Sequence, residues 1–383
     1  MKLSNWCCVV ALLIPVTACK KKDEAAPAPA SKMAPEADKK PEGDKKPEAA
    51  KKPDPTPAPA PAAKVATGDD LAKRYVECYG FFNSKDWKQF ETCYTPTATS
   101  DFVDSGMPAA NGWQEILDKH TKTLTDAMPD AKSELEVTLI NGHNGASVAL
   151  FTGTHTGALK TPMGDVPPTQ KKIGLNVAHS IHFADDAGKA ADKQTFYEDF
   201  GVVMGQLGLS KAPVRAALDK PMGPNEIVVA KDDDTEKRNL DMANKVTDAF
   251  NKHDVKALGD LFADDLVWAE NGIPKDWNKK EAIASHASLF KGFSDIKLTQ
   301  ANQWAAGDYV VFEGTFAGTN DGNLPDMGIK KTGKAMSLGF LQLYKFNKDG
   351  KLTRSWGFWN SAAFAMQLGL VPPPTDGKAP AKK

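Results

Sequence analysis

Two titratable side chains, His179 and Asp199, stand in the first half of this chain where a second stretch of similar sequence carries amides, Gln342 and Asn360. His179 shares an alternating face with Leu175, Val177, Ile181 and Phe183, and Gln342 shares one with Leu338, Phe340, Tyr344 and Phe346. Alternate strand residues point the same way, so each polar group belongs to a core-facing row. An imidazole and a carboxyl held in a cavity can polarise a carbonyl and remove an acidic C–H proton, each tuned by burial. An amide keeps hydrogen-bonding capacity but exchanges no proton near neutral pH. Acid–base chemistry through Asp199 and His179 is therefore expected in the first copy, and binding alone in the second. The competing reading makes His179 a hydrogen-bonded core histidine and Asp199 a strand-end or capping residue.

Other side chains are candidates to line the two cavities. In the first copy these are His120, Tyr197 and Asp104. In the second they are Gln342, Asn360, Trp356, Trp268, His286 and Glu270. The second set is richer in tryptophan, which suits a flat apolar ligand or simple core packing. Metal and phosphate chemistry is not expected. His179 and His182 are an odd number apart on a strand and so point to opposite faces. The Asp185–Asp192 and Asp232–Asp234 clusters lack the glycine and terminal glutamate of a calcium loop. No phosphate-binding glycine loop or G-x-S-x-G elbow occurs, and no cofactor is implied.

The elements that must position these groups repeat. Phe82-Asn83-Ser84-Lys85-Asp86 returns as Phe250-Asn251-Lys252-His253-Asp254, and Glu115 with His120 returns as Glu281 with His286. Phe151-Thr152-Gly153-Thr154 aligns with Phe312-Glu313-Gly314-Thr315, and Gln206-Leu207-Gly208-Leu209 with Gln367-Leu368-Gly369-Leu370. This is a tandem duplication. In each copy helical periodicity comes first: Leu71, Tyr75, Cys78, Tyr79 and Phe82 share a face, and Thr67 with Asp70 forms a possible capping box. A third helix is expected from Gln114 to Met128, matched by Lys279 to Phe290. Strands follow at Glu134–Leu139, Ser147–Thr154, Lys172–Phe183 and Gln194–Phe200, and again at Ile296–Gln300, Tyr309–Phe316, Ala335–Phe346 and Leu352–Asn360. Helices first and hairpin-connected strands afterwards predict an α+β layer on a curved antiparallel sheet, which leaves a conical cavity. The expected organisation is a leader (1–19), a tether (20–65), domain 1 (66–210), a linker (211–233), domain 2 (234–371) and a tail (372–383).

Gly153-Thr154-His155-Thr156-Gly157, the strand ending at Phe183, and Gln206-Leu207-Gly208 resemble the SnoaL-like polyketide or ester cyclase family of the nuclear-transport-factor-2-like superfamily. In the second copy Trp356-Gly357-Phe358-Trp359-Asn360 followed by Gln367-Leu368-Gly369 is similar to that family's W-x-x-W-D…Q-L-G ending. The resemblance implies two tandem cone-shaped α+β barrels and an aspartate, here Asp199, as acid/base in an intramolecular aldol ring closure. Thr195 and Glu198 stand where the family usually has tryptophans. The superfamily hosts enzymes, binding modules and dimerisation domains, so two further functions stay open. One is a lipoprotein that holds small hydrophobic molecules in two cones. The other is an interaction module that dimerises or pairs its domains through their sheets.

Cys78 and Cys93 flank the Asn83–Asp86 turn, and the second copy has the apolar pair Val246 and Leu261 there. A disulfide or two buried thiols fit that pattern. The chain has 383 residues, 41% hydrophobic and 25% charged, with net charge −1. Its body, residues 66–375, holds 33 Lys or Arg against 40 Asp or Glu. An acidic body is a poor match for nucleic acid. Residues 6–16 form an apolar run too short to span a bilayer stably. It ends in Val16-Thr17-Ala18-Cys19, which resembles a bacterial lipobox. That resemblance implies lipidation at Cys19, contact with the membrane through the lipid alone and, with Lys20 next, the outer membrane. Residues 20–65 are almost entirely Lys, Asp, Glu, Pro and Ala, a composition that cannot bury a core and acts as a tether.

Overall fold

The structure, a computed structural model, describes residues 66–161, 164–184 and 189–371. Cys19, the apolar leader, the tether and the tail from residue 372 lie outside the described residues. Among the described residues no helix is long and apolar enough to cross a membrane.

Domain 1 starts with α1 (Gly68–Ser84), where the Thr67 hydroxyl accepts from the Asp70 N–H and the Asp70 carboxylate accepts from the Thr67 N–H. α2 (Trp87–Glu91), β1 (Tyr94–Phe102) and β2 (Ala110–Asn111) follow. A composite helix then runs through α3 (Trp113–Glu115), a π-helical segment Ile116–Thr121 and α4 (Lys122–Ala127). The remaining elements are β3 (Lys132–Asn141), β4 (Asn144–Thr154), β5 (Lys172–Phe183), β6 (Ala191–Tyr197) and α5 (Phe200–Gln206). The connection to domain 2 forms β7 (Glu226–Val229), which pairs with β3 in parallel. Domain 2 comprises α6 (Asp234–Asn251), α7 (Val255–Leu261), β8 (Phe262–Glu270), α8 (Lys279–Gly292), β9 (Lys297–Ala306), β10 (Tyr309–Thr319), β11 (Ala335–Phe346), β12 (Leu352–Phe358) and α9 (Ser361–Gln367).

The sheets run β2-β1-β6-β5-β4-β3-β7 and β8-β12-β11-β10-β9. Their centres are antiparallel hairpins, while β1 with β6 and β8 with β12 pair in parallel. Each sheet has two apolar faces. One packs under the helices of its own domain, through Leu71, Tyr75, Ile140 and Phe183 in domain 1 and Val246, Phe290, Leu338 and Phe346 in domain 2. The other faces the opposite sheet: Val137, Leu139, Val148 and Ala178 join Val311, Leu341, Leu343 and Phe358 in one buried cluster. The fold is thus two α+β cones, back to back.

The repeated motifs have mechanical causes. Asn83 closes a pair of hydrogen bonds on the Ser133 backbone, and Asn251 does the same on Leu298. Each pins its first helix to the start of its first hairpin. Gln206 brackets the Gly174 backbone and Gln367 that of Ser337, tying the last helix to the long strand. One alignment requires correction. The hairpins close at Asn141–Asn144 and Ala306–Tyr309, so Phe151-Thr152-Gly153-Thr154 corresponds to Phe316-Ala317-Gly318-Thr319 and not to Phe312–Thr315. Asp130 and Asp295 support this register, accepting from the Thr154 and Thr319 N–H groups. The Cys78 and Cys93 sulfurs are bonded and join α1 to the start of β1.

Candidate functional site

Inside cone 1, β4, β5 and β6 turn Ser147, His179, Gln194 and Phe196 towards α1. Tyr75, on the buried face of α1, brings its hydroxyl 2.8 Å from His179 Nδ1 and 2.9 Å from Ser147 Oγ; the Tyr79 hydroxyl lies 3.3 and 3.0 Å from the same atoms. The His179 ring stacks on Phe196 at 4.3 Å, and its Nε2 is buried with no hydrogen-bond partner. Burial pushes the imidazole down to about 3, so it is neutral. A second polar chain continues from Gln194, which accepts from the Tyr94 hydroxyl and donates to Ser100 Oγ. Ser100 Oγ is 2.8 Å from His120 Nδ1, and His120 Nε2 is 3.0 Å from the Pro108 carbonyl. Only an N–H can meet a carbonyl, so His120 carries its proton on Nε2 and accepts from Ser100 at Nδ1. The apex of the cone is closed by side chains that bond one another.

The mouth of the cone differs. Leu124, Met128, Phe151, Leu175 and Phe200 wall a small pocket into which the strand end after β6 turns Glu198. This carboxyl is partly exposed and has no hydrogen-bond partner among the described residues. Burial, with the neighbouring Asp199 adding to it, raises it to about 7. The enclosed part measures about 30 Å³, the room of one water, so a larger ligand seats one end there. Lys160 at the rim is paired with Asp165.

Cone 2 places a carboxyl and an aromatic ring in exchanged positions. Trp359 stands where domain 1 has Glu198, and Glu270, opposite Gly357, where domain 1 has Phe102 opposite Phe196; the expected match of Glu270 with Asp104 is two residues out of register. Glu270 Oε1 accepts from the Trp268 indole at 2.7 Å and Oε2 from the Trp359 indole at 3.1 Å. Trp359 packs edge-on against Phe316 and Phe364, and fills the mouth. A Cβ on Gly357 would lie 2.9 Å from Glu270 Cγ and 3.1 Å from Gln342 Oε1, so glycine here makes room for both side chains. Gln342 donates to Ser355. His286 Nδ1 donates to the Ala282 carbonyl at 2.7 Å, and its ring meets Trp268 at 4.8 Å. Burial raises Glu270 and lowers His286. Glu270, Gln342 and His286 thus each have a protein partner in this cone.

Residues 69–206 match the family model described as SnoaL-like polyketide cyclase, and residues 243–355 match the one described as SnoaL-like domain. Together they span well over half of the chain. The chain belongs to the SnoaL-like family. Similar solved structures include IdmH from Streptomyces antibioticus, 21% identical, with TM-score 0.31 over 34% of this chain and 98% of that one. A protein of ketosteroid isomerase-like fold from Catenulispora acidiphila is 18% identical, with TM-score 0.30 over 34% and 97%. An LEH-like epoxide hydrolase of M. tuberculosis is 13% identical, with TM-score 0.29 over 35% and 90%. No curated protein sequence matches the chain.

In these SnoaL-like domains the sequence-derived candidates separate into two places. His179 and His120 line cone 1, and Gln342, Trp268, His286 and Glu270 line cone 2. Asp199, Asn360, Asp104, Tyr197 and Trp356 lie instead in the seam between the domains. Asp199, fully buried, caps α5 through the Gly201 and Val202 N–H groups, and Asn360 caps α9 in the same way. Asn360 Nδ2 also donates to the Asp104 carbonyl, while Asp104 Oδ2 accepts from the Gly339 N–H at 2.7 Å. The Tyr197 hydroxyl donates to Glu313, and Trp356 packs in the cluster between the sheets. The expected pairing of Asp199 with His179 is therefore corrected: alternation past Phe196 sends Glu198 to the cone and Asp199 to the opposite side. Glu270 and His286, expected to line the second cavity, do sit in cone 2. Glu198 was the residue missed. The signal was present in the row Gln194, Phe196, Glu198 and in Trp359 at the matching site.

Proposed function

We propose that domain 1 carries out cyclase- or isomerase-type acid–base chemistry on a small apolar carbonyl compound, with Glu198 as the proton-transferring group and domain 2 as a non-catalytic partner. The observation that carries this reading is a carboxyl without hydrogen-bond partners among apolar walls at the mouth of cone 1. Burial keeps such a group near the pH at which it can both take and return a proton. In the ionised state Glu198 removes the proton from the carbon next to the carbonyl, and the electron pair moves to the carbonyl oxygen as an enolate. The proton then returns to another carbon, or the enolate carbon attacks a second carbonyl within the same molecule to close a ring and Glu198 returns its proton to the new alkoxide oxygen. His179 holds the cone's apex and is not part of the transfer. The filled cone 2, with Trp359 in place of the acid, supports a structural role for that domain.

The reading is tested by hydrogen–deuterium exchange next to the carbonyl of small cyclic ketones in D₂O. The wild-type chain accelerates exchange and Glu198→Gln abolishes the acceleration. Equal exchange by the variant would overturn the assignment. The leader and tether further support export as a lipoprotein of the bacterial envelope, anchored at Cys19 and sorted to the outer membrane. Mass spectrometry of the mature amino terminus tests this: an acylated Cys19 is expected, and any other start contradicts it.

A further inference from the structure

Asp199 is buried in the seam between the domains, yet it adjoins the residue that supplies the pocket's carboxyl. Its Oδ1 accepts four hydrogen bonds, two from each domain. They come from the Gly201 and Val202 N–H groups at 2.9 and 3.3 Å, and from the Ser361 N–H and hydroxyl at 3.0 and 2.6 Å. Its Oδ2 is buried without a partner, and a Cβ on Gly272 would lie 3.4 Å from it. We propose that Asp199 is a positioning residue through which domain 2, by way of Ser361, sets the protonation of the Glu198 carboxyl in the domain 1 pocket. The inference rests on the pocket reading above and adds a purpose for the second domain.

The physical basis is the coupling of acids adjacent in the chain, Asp199 buried in the seam and Glu198 partly exposed at the pocket. Burial raises Asp199 to about 6 against the four donors that lower it, so its charge forms near that pH, and a charge formed beside Glu198 keeps that group protonated to higher pH. Few other charges face the pair. Lys160 at the pocket rim is paired with Asp165, Asp104 is bonded to the Gly339 N–H, and Glu270, near the Gly272 loop, is held by two indoles. α5 and α9 present only backbone N–H groups and the Ser361 hydroxyl to Asp199. Ser361 is thus the one side chain of domain 2 that hydrogen-bonds this carboxyl.

The test follows the side-chain carboxyl ¹³C signals of Glu198 and Asp199 with pH in the full chain and does not depend on activity. Asp199→Asn should lower the Glu198 midpoint by about one pH unit. The variant keeps the helix cap, because Asn360 caps α9 in the same geometry. Ser361→Ala should raise the Asp199 midpoint and lower that of Glu198, and Ser361→Thr, which restores the hydroxyl, should return both. A raised wild-type Glu198 that stays unmoved in Asp199→Asn and Ser361→Ala would overturn this proposal alone. A wild-type Glu198 that titrates as an ordinary exposed carboxylate would overturn the pocket reading and this proposal with it.

Discussion

At the residue scale, the difference between the cones is whether the carboxyl at the mouth is satisfied. Glu270 is gripped by two indoles, and Glu198 by nothing among the described residues. That difference has a pH signature. Burial lifts Glu198 from the ordinary 4.5 to about 7, so between those values the folded chain keeps a proton that the unfolded chain has lost. The stability this group contributes is complete below about pH 4 and is lost as pH rises through 7. Denaturant titrations of wild type and Glu198→Gln should therefore diverge as pH rises from 5 to about 8, the variant gaining relative stability; parallel curves would contradict a raised Glu198. Residue types alone pointed to Asp199, because an acid replaced by an amide in the second copy looks like lost chemistry. Asp199 and Asn360 are equally good helix caps, and which face a strand end presents is settled one residue at a time. The His179-to-Gln342 exchange was legible, and both do face their cones. Their partners, Tyr75 and Ser355, come from other elements and could not be read from local spacing.

At the element scale, the composite helix of domain 1 shows what the duplication has changed. His120 and His286 match, as do the helix-ending Met128 and Phe293, which have nearly the same backbone angles. The first pair is 166 positions apart and the second 165, so domain 1 carries one extra residue between them. The π-helical segment Ile116–Thr121 absorbs it, with wider turns than those of the regular α8. The helix was legible from periodicity, but the π segment was not, since one residue hardly disturbs an apolar stripe. β1 and β8 went unread because their alternation is broken by exposed pairs, Pro96–Thr97 and Asp264–Asp265. Two predictions belong here. Gln206→Ala removes both bonds to Gly174 and should cost about 1–3 kcal/mol in a denaturant titration, with Gln367→Ala similar; no loss in either would contradict the clamp. Reducing the Cys78–Cys93 bridge, which closes a loop of 15 positions, should lower stability by about 3 kcal/mol, and thiol counting before reduction should find neither sulfur free.

At the scale of the whole molecule, each cone uses the outer face of its sheet to cover the other. Leu341 and Leu343 of β11, Val148 of β4 and Ala178 of β5 are almost fully buried in that contact. Splitting the chain would expose this apolar face, so the separate domains are expected to self-associate while the intact chain runs as a monomer with one unfolding transition. Size-exclusion chromatography with light scattering checks this, and two monomeric halves would contradict it. The pairing of layers followed from two apolar faces on each sheet, which a strand with hydrophobic residues at both odd and even positions, such as Tyr309–Phe312, already signals. The unequal mouths of the two cones did not, because they depend on Trp359 and Glu270 meeting across strands in one cone while Glu198 stays without a hydrogen-bond partner among the described residues in the other. The open site is the mouth of cone 1, at Glu198. A crystal of the full chain soaked in cyclohexanone tests it most directly: the ketone is predicted between Leu175 and Phe200 with its ring carbons against Glu198, and none in cone 2. Ketone bound behind Trp359 with the domain 1 mouth empty would contradict it.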